Sequence, residues 1–405
     1  MSRWYLGIDW ADREHAVWVE DEAGTKVASR TVAHTGVGLV EFGRWLDEQR
    51  AQGTELWAAI ERPDGGVVDL LLDHGVVVYP INPKALDRAR DRYRMSHAKS
   101  DPFDARVLAG FLRTDQGHLT PLQPSSEAAQ ELKVLTRDCQ RLVRQQTRFR
   151  NQLIATLKAY YPRPLELFPD INTPTARSFL RTFPTPEAVT TLKRPAWRRW
   201  VRVQHVKHAE DLWTKLQAPQ VPVPAHVVRA KTRLLRVLLT QLESTAEAVE
   251  SYREAIADFF AAMPVGDWAR SLPGGQHGTI VPTLLAELGD APGRWQSVSH
   301  LQAQAGMVPV TSRSGKHHVV GFRWACNMHL RYAAHTLAFV SLCRSDWALA
   351  YYRQQRARGH GHNRALRALG AKWLKIIFAM SVHQTPYDEN HHLAMMARQH
   401  CRQVA

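Results

Sequence analysis

The chain has 405 residues, room for two or three domains with cores of their own. Lysine and arginine outnumber aspartate and glutamate 53 to 38, a formal charge of +15 that points to a polyanionic partner, nucleic acid most simply. No apolar run reaches membrane-span length, no signal-peptide pattern opens the chain, and Cys139, Cys326, Cys343 and Cys401 make neither a zinc pattern nor a disulfide framework, so the expected setting is the cytoplasm with no membrane partner.

Residues 1–115 read as a mixed α/β domain. Tyr5 to Asp9 is a buried strand, Ala16 to Glu20 alternates as a second, and Asp21 to Thr25 supplies the turn into a third, Lys26 to Val32. Gly38 to Arg50 has helical periodicity, followed by a strand from Leu56 to Glu61, a helix over 66–73, a strand at Val76 to Tyr79, and a basic helix from Pro83 through Met95. Three antiparallel strands followed by alternating helices and strands predict a mixed sheet covered by helices. Asp9 and Glu61 stand at two strand ends, where loops converge. Asp101 and Asp104, in Lys99-Ser100-Asp101-Pro102-Phe103-Asp104, share one face of a helix. Any one of these acids alone reads as a solvated side chain or a cap. Together they read as oxygen ligands for Mg²⁺, with Mn²⁺ as a substitute, two such ions being able to clamp an in-line phosphoryl displacement. Asp12, Asp64 and Asp69 compete for these roles, and Glu61 is preferred over Asp64 because it ends a strand. Lys99 and the basic segment before it put positive charge beside the acids, where a phosphate backbone would find it. The arrangement resembles the RNase H/RuvC-like nuclease fold, with its first acid on strand 1 and its second on strand 4.

Residues 116–262 read as a helical coiled-coil arm. Leu132, Leu135, Cys139, Leu142, Gln146, Phe149 and Leu153 form one heptad seam, and Leu235, Leu238, Leu242, Thr245, Val249, Tyr252, Ile256 and Phe259 a second. A proline-rich basic insert lies between them. The seams fit either an antiparallel hairpin or a dimer interface. Trp197-Arg198-Arg199-Trp200 fits either a nucleic-acid surface or a small helical core.

Residues 263–385 read as a mainly helical, basic domain, with 386–405 as a tail. Leu272-Pro273-Gly274-Gly275 precedes a helix over 279–288, exposing backbone N–H groups to a phosphate in the manner of part of a helix-hairpin-helix. Between Arg313 and Lys375 there are twelve Lys or Arg and one acid, Asp346, interleaved with Trp324, Tyr332, Trp347, Tyr351 and Tyr352, which favours contact with nucleic acid. Ser312 and Ser314 flank Arg313 in that setting, and a serine there could attack a phosphodiester and conserve its bond energy in an ester.

The motifs together resemble the IS110-family transposases. The carriers are Gly7-Ile8-Asp9, Ile60-Glu61, Lys99 to Ala105, Leu272-Pro273-Gly274, Ala305-Gly306-Met307-Val308-Pro309, Ser314-Gly315-Lys316 and Arg323-Trp324-Ala325-Cys326-Asn327 with Leu330-Arg331. The resemblance implies a RuvC-like domain whose Asp9, Glu61, Asp101 and Asp104 bind Mg²⁺ and a C-terminal transposase domain with Ser314 as nucleophile, Ser312 being its rival. From their charge and turn chemistry, Lys99, Gly274, Gly275, Arg313, Lys316, Arg323 and Arg331 are the candidate contacts with nucleic acid. The resemblance further implies double-stranded donor and target DNA, a bridge RNA that pairs with both, and dimers that form a tetramer on DNA in the bacterial cytoplasm, at the nucleoid when acting. Two other readings stand beside it: a metal-dependent nuclease or junction resolvase with a structural Ser314, and a non-catalytic nucleic-acid-binding protein.

Overall fold

A computed structural model describes residues 2–93, 100–264, 267–274, 278–291, 293–314 and 317–394. The chain divides into two compact units, Met1–Pro124 and Ser125–Ala405.

The first unit is the mixed, helix-covered sheet expected from the order of elements, consistent with an RNase H-like domain. Strands β1 (Ser2–Asp9), β2 (Glu14–Glu20), β3 (Lys26–Ala33), β4 (Thr54–Ile60) and β5 (Val77–Pro80) lie in the order β3-β2-β1-β4-β5. The β1–β2 and β2–β3 pairs are antiparallel, and β1–β4 and β4–β5 are parallel. Alternation along β1 divides its side chains between two cores. Leu6 and Ile8 pack with Val17, Val19, Ala58 and Ile60 beneath helices α1 (Gly36–Ala51) and α2 (Gly66–Asp73), which contribute Phe42, Trp45, Leu46, Val67, Val68 and Leu71. Tyr5 faces the other way, with Ala59 and Tyr79, beneath α3 (Pro83–Arg90) and α4 (Asp101–Asp115). The basic helix expected to run from Pro83 through Met95 ends at Arg90: the amides of Arg92 and Tyr93 donate to the carbonyls of Ala89 and Arg90, the i to i−3 bonds of a helix closing down. Met95 lies outside the described residues.

Gly7 sets how closely α4 approaches. A Cβ there would overlap the carbonyl oxygen of Ala105 and the amide nitrogen of Ala109, both backbone atoms that cannot swing aside. Gly7→Ala should therefore push α4 off the sheet at a cost of about 3 kcal/mol or more, beyond ordinary overpacking. Chemical denaturation of the purified chain reads this directly, and an unchanged first-unit transition would refute it.

In the second unit, the two seams lie on α5 (Glu127–Tyr160) and α11 (Ala225–Ala262). Between them come α6 (Arg163–Leu167), α7 (Pro174–Thr182), α8 (Pro186–Thr190), α9 (Arg194–Val203) and α10 (Ala209–Leu216). Leu132 and Cys139 share a core with Ile256 and Phe260, and Leu153 and Leu157 share another with Leu235, Leu238, Leu239 and Leu242. The start of α5 thus meets the end of α11, so the seams close on each other within one chain as an antiparallel hairpin. Half-buried Gln146 falls between the two cores. The short helices cap the far end: Trp197 and Trp200 are buried and stacked at 5.3 Å, with Trp200 also edge-on to Phe179. The Trp-Arg-Arg-Trp stretch therefore puts its rings in a helical core and leaves Arg198 and Arg199 exposed.

The remainder is mainly helical, as expected. It comprises α12 (Asp267–Arg270), α13 (Ile280–Leu288), α14 (Val298–Gln304), a hairpin of β6 (Val310–Ser314) and β7 (His317–Gly321), α15 (Met328–Ser341), α16 (Asp346–Ala357) and α17 (His362–His383). Glu287 of α13 is fully buried. Burial would raise its pKa, but the guanidinium of Arg137, donating at 2.7 and 3.0 Å, and the amide of Asn327, donating at 2.7 Å, outweigh that and hold it below the usual carboxylate range. Asn327 in turn caps α15 by accepting from the amides of His329 and Leu330. One buried carboxylate thus ties α5, α13 and the start of α15 together. No helix among the described residues is long and apolar enough to cross a membrane.

Candidate active site

Asp9 ends β1 on the face that carries Tyr5 and Gly7, and Glu61 follows β4 on the face that carries Ala59. The parallel register pairs Ile8 with Ile60, which brings the next residue of each strand, Asp9 and Glu61, side by side beneath α3 and α4. Asp101 and Asp104 lie in the first turn of α4, where unpaired backbone N–H groups favour negative charge. The close approach at Gly7 brings that helix end to the end of β1.

The electrostatics record this convergence. Burial pushes the Asp9 carboxyl up to about 6, and the charges of Asp104, Asp101 and Glu61 push in the same direction, with Arg90 opposing. Arg90, at the end of α3, donates from Nε and Nη2 to the two oxygens of buried Asp104 at 2.6 and 2.7 Å and also pairs with Asp87. Among the described residues, one guanidinium therefore stands against four converging carboxylates. Of the competitors, Asp12 is exposed and Asp64 pairs with Arg62 at 3.7 Å.

Among the described residues no group of three or more His, Cys, Asp or Glu is close enough to grip a metal ion. The donor chemistry nonetheless fits a hard cation: all four groups offer oxygen, the ligand Mg²⁺ takes, and the neighbouring negative charge that adds to the effect of burial on Asp9 is what a cation relieves. Arg90 occupies both oxygens of Asp104, which leaves Asp9, Glu61 and Asp101 as the carboxylates that form no ion pair among the described residues, although the Arg90 charge reaches Asp9 and Glu61.

The second unit carries the other candidates. Ser314 ends β6 beside the hairpin turn, paired with His317, and Ser312 shares its face of the strand while Arg313 points the opposite way. All three are exposed. Arg323 and Arg331 meet between the hairpin and α15, where the Arg331 guanidinium donates to the Arg323 carbonyl. Gly306 makes room for it: at φ +61° its backbone favours glycine, and a Cβ would strike the Arg331 guanidinium. That contact gives the Ala305-Gly306-Met307 motif its physical reason. Gly274 lies in the turn after buried Leu272, and Thr279 stands just before α13 instead of starting it. Lys99, Gly275 and Lys316 lie outside the described residues.

Several contributors escape sequence reasoning. Arg90 is one basic residue among many, and only packing shows that it turns inward. Phe322 and Arg367 drew no signal, although they form part of a ring-and-guanidinium cluster with Trp324 and Arg331. Trp347, read as part of a surface, is buried and packs on Trp373 at 4.9 Å.

Comparison with known proteins agrees with this anatomy. The sequence matches a family model described as a transposase, of the DEDD type found in IS110, over residues 6–162, and one described as the transposase IS116/IS110/IS902 family over residues 269–353. It is 34% identical over 384 residues to a mini-circle putative transposase for IS117 from Streptomyces coelicolor, covering 91% of this chain and 92% of that protein. It is 37% identical over 191 residues to the putative transposase y4uE of Sinorhizobium fredii, covering 47% of this chain and 53% of that protein. An uncharacterized 43.6 kDa protein of insertion element IS110, also from Streptomyces coelicolor, is 27% identical over 95% of both chains.

Proposed function

The chain belongs to the IS110 family of transposases, and from that premise we propose that it cuts and rejoins DNA strands through a covalent phosphoserine intermediate, with the metal-binding carboxylates Asp9, Glu61, Asp101 and Asp104 in support. The observation that carries this reading is the convergence of four carboxylates against a single arginine among the described residues, with Asp9 raised to about 6 by burial first and then by the other three acids. A surplus of converging negative charge is costly in a structural domain and useful where a cation and a phosphate are to be held.

Asp9, Glu61 and Asp101 would hold the ion, with Asp104 joining when Arg90 releases it. Bound Mg²⁺, or Mn²⁺ in its place, supplies charge neutralisation at the phosphate. Ser314 Oγ attacks phosphorus, forming a P–Oγ ester. The bond from phosphorus to the neighbouring sugar oxygen breaks, and that oxygen leaves as a hydroxyl carrying the serine's proton. Rejoining is the reverse attack by a sugar hydroxyl, so no external energy source is needed. Exposure of Ser314 at the end of a strand supports the role, because a DNA phosphate can reach it. Arg313, Arg323 and Arg331, with Lys99, Lys316, Gly274 and Gly275, would contact the backbone.

Sequence choice is proposed to come from a bridge RNA pairing with donor and target DNA, the protein reading backbone and shape, and the active form is proposed to be a tetramer of two dimers. The test is to isolate RNA that copurifies with the chain and assay recombination between DNAs matching its loops. Recombination that follows the loop sequences supports the reading, and recombination indifferent to them removes the guide.

A further inference from the structure

Of the thirteen tryptophans, Trp324 alone is exposed, with 78% of its surface open. It is not loosely placed. Phe322 meets it edge-on at 4.8 Å and 77°, and the Phe322 ring is itself clamped by two guanidiniums, Arg331 from α15 at 4.5 Å and Arg367 from α17 at 4.9 Å. Two core helices therefore fix the position of the indole through a cation–π stack.

The surrounding charge is one-sided. Burial holds Arg367 below its ordinary range, and the like charges of Arg331 and Arg364 add to the effect. His335 is held low by burial and by Arg367 and His362. No carboxylate pairs with Arg323, Arg331, Arg364 or Arg367 among the described residues. Gathered guanidiniums repel one another, and a bare indole in water forfeits its burial energy. A single nucleic-acid strand relieves both costs at once, offering a base face to the ring and phosphates to the arginines.

We propose that Trp324 is a stacking platform for an unpaired base of a DNA strand, with Arg323, Arg331 and Arg364 holding the adjacent phosphates. DNA is the strand in question because the family's enzymes act on it. The inference does not depend on Ser314 or the carboxylates, since binding without catalysis needs neither.

The test is equilibrium binding of the full-length chain in EDTA to a short single-stranded DNA, an RNA of the same sequence and a blunt DNA duplex. Trp324→Ala should weaken single-stranded DNA binding about tenfold, the loss of one base–aromatic stack, while Trp324→Phe keeps most of the affinity. An unchanged melting midpoint for both variants confirms that the fold is intact. A loss for single-stranded DNA at least as large as that for RNA, and larger than that for the duplex, supports the platform. No loss, a loss equal to or below that for the duplex, or a greater loss for RNA overturns it. Because no strand is cut in EDTA, failure here leaves the recombination reading standing.

Discussion

Ser314→Ala should abolish strand exchange and every covalent protein–DNA adduct while leaving DNA binding intact. Removing a nucleophile from a serine enzyme costs on the order of 10⁴-fold or more, since no nearby group takes over its bond-making. Ser314 is exposed beside a hairpin turn, so its loss removes no core contact, and melting should not change. Ser312→Ala is the matched control. Ser312 lies on the same face of β6 but two residues further from the turn, and it should keep adduct formation. The reverse result would move the nucleophile to Ser312. Cutting that persists in Ser314→Ala without an adduct would favour the metal-dependent nuclease reading.

Asp9→Asn should cost about 10³-fold in DNA cleavage, several kcal/mol of electrostatic support at the phosphate. It should also do what loss of an ordinary surface acid would not: stabilise the metal-free protein at neutral pH. The carboxyl of Asp9 is pushed up to about 6 in the fold, by burial first and then by Asp104, Asp101 and Glu61, against about 4 in the unfolded chain. The folded state therefore binds more protons than the unfolded state between about pH 4 and 6, and stability falls as pH rises through that window. Asparagine removes this penalty. Solvent screening at a half-exposed group holds the gain to about 1 kcal/mol at pH 8, a few degrees in melting midpoint, and the gain should vanish at pH 4. Mg²⁺ should raise the wild-type midpoint and leave the variant's unchanged. A pH-independent difference between the two proteins would mean that the Asp9 carboxyl is not raised in the fold.

Much of the first unit was legible because alternation is a strong constraint. Once Tyr5, Gly7 and Asp9 are assigned to one face, and Trp57, Ala59 and Glu61 to another strand of the same sheet, a parallel neighbour relation puts the two acids together. The three-residue step from Asp101 to Asp104 set their common face in the same way. The inward turn of Arg90 was not legible, because the stretch from Lys84 to Arg94 alternates basic and acidic residues in a manner that suits a solvated helix. The seams were legible as seams, but apolar packing has no direction, so only the paired cores, Leu132 with Ile256 and Leu153 with Leu242, identify an internal hairpin. Trp347 and Trp324 sit in one basic run and look alike by composition. Trp347 is on α16, which turns it into the core, and Trp324 is in a loop with no partner helix of its own to cover it.

The phosphoserine step can be caught by trapping the chain on DNA that carries the ends of its own element, with Mg²⁺ and then with EDTA, and sequencing the DNA-linked peptide by mass spectrometry. A peptide joined to DNA through Ser314, formed with Mg²⁺ and absent in EDTA, is the predicted result. Cleaved DNA with free ends and no linked peptide would contradict it.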